Sequence, residues 1–196
     1  FPGQGSQSLG MLSEFAERPA VKQTFQEASG ALDQDLWALA QEGPKEALNQ
    51  TEITQRLLLT AGVALWRLWE QSGGPRPNVL AGHSLGEFSA LFAAGAIDFE
   101  SALKLVKKRA ELMAALKGGG MAAVMSLQEQ EVQDILQHNE LGELTIANYN
   151  SQNQFVLSGS EQALDKAKGI FEAHKATFLR IQVSGAFHSP YMDRAK

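Results

Sequence analysis

Gly82-His83-Ser84-Leu85-Gly86 sets a serine between two glycines, after the short apolar run Asn78–Gly82 and before the helix-like stretch Leu85–Ala94. A G-x-S-x-G between a strand and a helix is the pattern of a sharp turn that holds a serine hydroxyl out into a cleft, with glycines permitting close backbone packing on either side. The amide end of the helix that follows stabilises negative charge developing beside the serine. The chain has no cysteine. Disulfides, cysteine metal sites and a cysteine nucleophile are therefore excluded, and covalent chemistry falls to Ser, Thr, Lys or a carboxylate.

A nucleophilic serine needs a base, and the histidines are His83, His138, His174 and His188. His138 and His174 fall near the ends of predicted helices, where a surface role suits them, and the side chain of His83 should point away from its neighbour Ser84. His188 lies in the loop Ser184-Gly185-Ala186-Phe187-His188-Ser189-Pro190 after a predicted strand, where a side chain is presented rather than packed, and is the expected base. Arg109 is the other informative residue. On a helix over about Phe99–Leu116, Ala102, Leu105, Val106, Leu112 and Met113 form one apolar face. Arg109 falls inside that stripe, whereas Lys104, Lys107 and Lys108 lie off it. A guanidinium there is costly unless it meets an anion, which is either an internal carboxylate such as Glu87 or a substrate carboxylate held bidentately.

The elements that must position these residues read as helix-rich α/β in the first 118 residues. Helical sequence is expected over about Met11–Ala28, with a Gly/Asp break at Gly30–Asp35. Apolar residues at three- and four-residue steps, Ile53, Leu57, Leu58, Ala61, Leu65, Leu68 and Trp69, predict a helix over Glu52–Trp69 that ends at Gly73-Gly74-Pro75. Asn78–Gly82 reads as a buried strand of a parallel sheet. After the Gly118-Gly119-Gly120 hinge the texture changes. Strands are expected at Met121–Ser126, Leu144–Asn148, Phe155–Ser158 and Thr177–Val183, and helices at Glu129–His138 and Glu161–His174. That β-α-β-β-α-β order is the ferredoxin-like arrangement. The expected organisation is a large α/β-hydrolase-like subdomain over 1–118, an inserted ferredoxin-like subdomain over 119–184, and a return to the large subdomain over 185–196. Both ends look cut, since Phe1-Pro2-Gly3 opens directly on a glycine-rich turn and Tyr191–Lys196 reads as the first turns of a helix.

Of the 196 residues 44% are hydrophobic, enough for one sizeable core or a core with a satellite. With 17 Lys+Arg against 22 Asp+Glu the net charge is -5, and no basic run could track a phosphate backbone, so nucleic acid is not an expected partner. No apolar stretch reaches the ~18 residues of a membrane span, and no signal-peptide layout opens the chain. A soluble cytoplasmic protein, expected as a monomer, fits this composition.

These residues, in this order, resemble the malonyl-CoA:acyl carrier protein transacylase family, of the fatty-acid type or the free-standing, trans-acting polyketide type, over essentially the whole chain. Gly3-Gln4-Gly5-Ser6-Gln7 matches the family's N-terminal signature, Gly82–Glu87 its nucleophile motif, and Gly185–His188 its histidine motif. Arg109, 25 residues after Ser84, matches its carboxylate-binding arginine. The resemblance implies an acyl ester on Ser84, proton transfer by His188, and an oxyanion hole from the backbone N–H groups of Gln4 and Leu85. Gln55 and Asn150 match residues near the cleft. It implies no bound cofactor or metal, a CoA thioester as donor, and the phosphopantetheine thiol of an acyl carrier protein as acceptor. Phe187 and Leu85 resemble the malonyl-preferring pattern, a ring beside the histidine leaving little room for a methyl branch. Three rivals share parts of this pattern: an editing acyl hydrolase, against which Arg109 argues; an α/β-hydrolase, which expects an acid between serine and histidine where Asp134 and Asp165 fall on predicted helices; and a catalytically idle carrier-protein-binding module, against which intact Ser84, His188 and Arg109 argue.

Overall fold

Pro19 decides where the first helix begins. Its ring fixes φ and has no N–H to lose at the first helical position, so α1 runs Pro19–Leu32, and only a short 3-10 turn, Ser13–Phe15, occupies the stretch from Met11 that apolar spacing marks as helical. Gly30 lies inside α1, and the break comes at Asp33, which ends the helix at φ 51°. The next helix, α2 (Leu36–Glu42), is not foreseen by periodicity; Asp35 starts it, accepting the Ala38 N–H at 2.9 Å.

The computed structural model describes residues 1–195, and they divide into two units, the first Phe1–Glu111 and the second starting at Leu112. In the first unit the central element is α3 (Thr51–Gln71), followed by α4 (Gly86–Ala93) and by α5 (Phe99–Ala115), whose last turn belongs to the second unit. The core gathers Leu57, Leu59, Val63 and Ala64 of α3 around Val21 and Phe25 of α1, Leu36 of α2, and Phe99, Leu103 and Val106 of α5. Helix α3 is buried on more of its circumference than its apolar stripe implies: Thr54, Gln55 and Thr60 are inside, and Leu65 and Trp69 are exposed. The threonines satisfy their hydroxyls on helix carbonyls, Thr54 on Gln50 at 2.9 Å and Thr60 on Arg56 at 2.8 Å.

Two expectations are corrected in this unit. Asn78–Gly82 is not a buried strand: among the described residues the first unit contains no strand at all, so the expected parallel sheet is not formed there, and Val79 is 81% exposed. The segment bonds to Phe1, whose backbone nitrogen donates to Ala81 O at 2.7 Å and whose carbonyl accepts the His83 N–H at 2.9 Å. On α5 the buried face is Ala102, Leu103, Val106, Ala110 and Met113, with Leu105 53% exposed, so Arg109 stands at the edge of the stripe rather than within it.

The second unit carries a four-stranded antiparallel sheet of order β2-β3-β1-β4. Its elements are β1 (Gly120–Met125), α6 (Glu129–His138), β2 (Thr145–Ser151), β3 (Gln154–Gly159), α7 (Glu161–Ala173) and β4 (Thr177–Ile181). Val124, Phe155, Leu157 and Phe178 of the sheet bury against Val132 and Ile135 of α6 and Leu164 and Phe171 of α7. Ser160 caps α7, accepting the Ala163 N–H at 3.1 Å. Pro190–Ala195 forms a 3-10 helix, and the remaining residue of the expected terminal helix, Lys196, lies outside the described residues.

The helix that carries Arg109 begins on an acid-sensitive cap. Asp98 accepts the Ser101 N–H and the Ser101 hydroxyl, each at 2.8 Å, and these bonds hold its carboxyl below the ordinary value of 3.8. A carboxyl that binds its proton more weakly folded than unfolded stabilises the fold above its unfolded pKa and loses that contribution as pH falls through the folded one. The stability difference between the protein and Asp98→Ala should therefore be present at neutral pH and shrink as pH drops below about 4, read from urea midpoints against pH. In the second unit, Phe171→Ala should cost about 3–5 kcal/mol, while Leu179→Ala, at a side chain 53% exposed, should stay within about 0.5 kcal/mol. Chemical denaturation of the two variants checks the contrast.

Candidate active site

The turn that carries Ser84 is held by backbone packed against backbone. A Cβ on Gly82 would lie 2.1 Å from Glu87 N and from Gly86 C, and one on Gly86 would lie 2.2 Å from Phe1 O. These are contacts no side chain can make, and neither neighbour is a flexible group that could move aside. Ser84 itself has φ 51°, the left-handed region that a non-glycine residue occupies at a cost of about 1–3 kcal/mol and that clusters at functional sites. Gly86, Glu87 and Phe88 donate their N–H groups to the carbonyls of His83, Ser84 and Leu85 at 2.9, 3.1 and 3.0 Å. The Leu85 N–H stands ahead of this ladder, at the amide end of α4.

The structure brings three of the expected residues into direct contact. Arg109 donates from Nη2 to Ser84 Oγ at 3.0 Å and from Nη1 to Gln55 Oε1 at 2.6 Å. Gln55 is fully buried on α3, and its amide oxygen is a neutral acceptor that orients the guanidinium without cancelling its charge. Among the described residues Arg109 makes no ion pair, with Glu87 or any other carboxylate. Burial pushes the Arg109 pKa down, and the charge of Glu87, acting from beyond ion-pair distance, opposes that shift; an arginine remains protonated regardless. Phe88, which sequence reasoning did not single out, places its ring 5.9 Å from the guanidinium carbon. Its spacing was the available signal, since Phe88 follows Ser84 by one helical turn.

Gln4 belongs to the same unit. Its side chain donates to Thr51 Oγ1 at 3.4 Å, tying the Gly3–Gln7 loop to the first residue of α3. Gly3 abuts the serine turn closely enough that a Cβ there would lie 2.5 Å from His83 O. His83 is exposed.

Phe187, His188 and Asn150 lie in the second unit. His188 is exposed at φ 54° between buried Phe187 and Ser189. Its loop is pinned by the Ser189 hydroxyl, which donates to Ala186 O at 2.6 Å, and by a parallel bridge between Gly118 and Gly185. Phe187 packs with Met113, Met121, Val156 and Met192. Asn150 is exposed near the end of β2, where the pairing with β3 shifts register between Tyr149 and Ser151.

A strained serine with a charged guanidinium on its hydroxyl, in no ion pair among the described residues, suits acyl transfer to a nucleophile from a donor that itself carries a negative group. Over residues 1–196 the sequence matches the acyl transferase domain family. The chain belongs to that family. It is 46% identical, over its whole length and 65% of the relative's, to the malonyl CoA-acyl carrier protein transacylase of Salmonella typhimurium. The solved structure of the corresponding transacylase from Coxiella burnetii superposes on all of the chain and 64% of that protein, with a TM-score of 0.96 and 49% identity. A type II polyketide synthase acyl-carrier protein in complex with its malonyl-transacylase includes a chain 43% identical to this one, with a TM-score of 0.95, all of this chain covered and 65% of that one. The chain thus spans slightly less than two thirds of the length of these acyl transferase relatives.

Because Gly82 has backbone atoms where a Cβ would go, Gly82→Ala should destabilise the fold by about 1–3 kcal/mol and lower the reactivity of Ser84. Urea unfolding, with labelling of Ser84 by a fluorophosphonate, measures both.

Proposed function

We propose that the protein moves a malonyl group from malonyl-CoA to the phosphopantetheine thiol of an acyl carrier protein, through an ester on Ser84, in fatty-acid or polyketide synthesis. The observation that carries this reading is the Arg109 fork 3.0 Å from the Ser84 hydroxyl, charged, partly buried and without a carboxylate partner among the described residues. A malonyl thioester has its free carboxylate a few bonds from its reacting carbonyl. A cation beside the nucleophile therefore binds that carboxylate and sets the thioester carbon near Oγ.

In the proposed sequence His188 removes the Ser84 proton as Oγ attacks the thioester carbon. The Gln4 and Leu85 N–H groups receive the oxyanion, the latter at the amide end of α4. The C–S bond breaks, and the CoA sulfur leaves with the proton held by His188. The carrier thiol then gives its proton to His188, attacks the ester, and takes the malonyl group as Ser84 Oγ recovers the proton. No metal or bound cofactor enters these steps. Support for His188 comes from the Gly185–His188 motif and from a loop that holds an exposed histidine at positive φ. We read Phe187 as the residue that disfavours an α-methyl branch, Asn150 as a cleft residue, the β-α-β-β-α-β order of the second unit as the ferredoxin-like subdomain of the family, and the protein as cytoplasmic.

The test is intact-mass spectrometry of the complete protein carrying this sequence, after brief exposure to malonyl-, methylmalonyl- and acetyl-CoA. A malonyl adduct is expected on the protein and absent from Ser84→Ala. Arg109→Ala should slow malonyl loading by about 100-fold or more, the factor for losing two charge-assisted bonds of about 1.5–3 kcal/mol each. Neutral acyl groups loaded and then shed to water, with no malonyl adduct, would overturn the transferase reading in favour of a hydrolase.

A further inference from the structure

Gln7 stands in the Gly3–Gln7 loop with no role in the sequence described so far, yet its side-chain amide bonds at both ends. Its Oε1 accepts the Gly5 N–H at 2.8 Å, and its Nε2 donates to Asn49 Oδ1 at 3.0 Å. Asn49 closes the 3-10 turn Ala47–Asn49, which leads directly into α3. Gly5 has φ 109°, a conformation side chains rarely adopt. Gly5 and Ser6 are exposed and Gln4 and Gln7 half-buried, so polar ties hold this part of the loop. Its other ties among the described residues include the Ser6 hydroxyl and N–H on Gly3 O, at 2.8 and 3.3 Å, and the longer Gln4 bond to Thr51.

We infer that Gln7 and Asn49 are positioning residues for the oxyanion hole. The Gln7 amide locks the peptide following Gln4 to the entry of α3, and so fixes the direction of the Gln4 N–H. One flank of the loop, Gly3, is already fixed by its contact with His83 O. The Gln4 N–H lies between that contact and the Gly5 peptide held by Gln7. An amide donor aimed at an oxyanion loses much of its effect when displaced by about an ångström, so a residue that never touches substrate controls the rate. This deepens the proposed acyl transfer and rests on the assignment of the Gln4 N–H to the oxyanion.

Acylation of Ser84 in the complete protein, followed by rapid-quench mass spectrometry with malonyl-CoA, tests the inference alongside thermal melting. Gln7→Ala and Asn49→Ala should each lower the acylation rate constant by about 10- to 100-fold, with the malonyl-CoA concentration for half-maximal rate unchanged. All of the protein should still become acylated, and the malonyl-to-acetyl preference should stay as it was. The double variant should be no slower than either single one, because both break one chain of bonds. Gln7→Glu should keep most of the rate, since the carboxylate still accepts from Gly5 and the Asn49 amide can turn to donate to it. Adding Asn49→Asp to Gln7→Glu sets two carboxylates together and should bring the loss back. Single variants that acylate at the rate of the unaltered protein would overturn the positioning role, as would a loss that follows only the fraction of folded protein. An unaltered protein that forms no malonyl adduct would instead sink the functional reading, and this inference with it.

Discussion

The site rests on a constraint of space: three glycines, Gly3, Gly82 and Gly86, sit where backbone meets backbone with no room for a Cβ. Gly82 presses on the start of α4, Gly86 on the carbonyls of Phe1 and Pro2, and Gly3 on the carbonyl of His83. The consequence is a serine turn gripped from two sides by one short segment, Phe1–Gly3, which also bonds to Ala81 and His83. A left-handed Ser84 is sustainable only in such surroundings, because strain of about 1–3 kcal/mol persists where neighbouring contacts leave no relaxed alternative. Widening any of the three contacts by a methyl group would move the hydroxyl and the first amide of α4 together.

The electrostatics follow from the same economy of space. Arg109 reaches Ser84 from the edge of the buried face of α5, so its stem is covered while its fork faces the hydroxyl. Pairing it with a carboxylate would satisfy the charge and remove its use. The buried partner is instead the neutral amide of Gln55, flanked by the face of the Phe88 ring, which orients the fork and leaves its charge for another anion. The cost is visible as the downward pull of burial on the guanidinium. Other cations of the first unit are handled differently. Arg67 pairs with Glu27 at 2.7 Å while stacking on Phe92 and Phe99, and Arg56 pairs with Glu111 at 3.4 Å. These are internal ties between helices, and among the described residues Arg109 makes no such ion pair.

How much of this the sequence disclosed depends on how local each cause is. Ser84, its glycines and the helix after it were legible because a tight turn into a helix is a local event. The order of strands and helices after Gly120 was equally legible, each element being short, periodic and bounded by turn residues. Arg109 was found through its place on a helix, though the stripe was drawn wrongly: Leu105 faces solvent and Ala110 is inside, since alanine and leucine can exchange places on a hydropathy pattern while burial is decided by what packs opposite. Helix α2 was missed because seven residues carry too little periodicity, and its signal was the cap Asp35. The supposed strand at Asn78–Gly82 failed for a non-local reason, because an extended apolar run becomes a strand only where a neighbour supplies a ladder. Gln7 and Asn49 could not be paired from sequence, being 42 residues apart.

The second unit shows the same division between local pattern and positional detail. Its core strands β1 and β3 pair in unbroken register from Gly120 opposite Gly159 to Met125 opposite Gln154, and both are buried along most of their length. The edge strand β2 does not keep such a register. Register shifts fall between Ile146 and Asn148 and again between Tyr149 and Ser151, so the two irregularities, at Ala147 and Asn150, bracket the paired residues Asn148 and Tyr149. A bulged edge resists pairing with another chain and re-aims the side chains at the break. The opposite edge, β4, reaches similar protection by charge, with Arg180 bridging Glu161 and Asp165 of α7. Protection by charge would have served β2 equally well. A bulged edge instead turns polar side chains out of the regular pleat without shifting the core strands behind them.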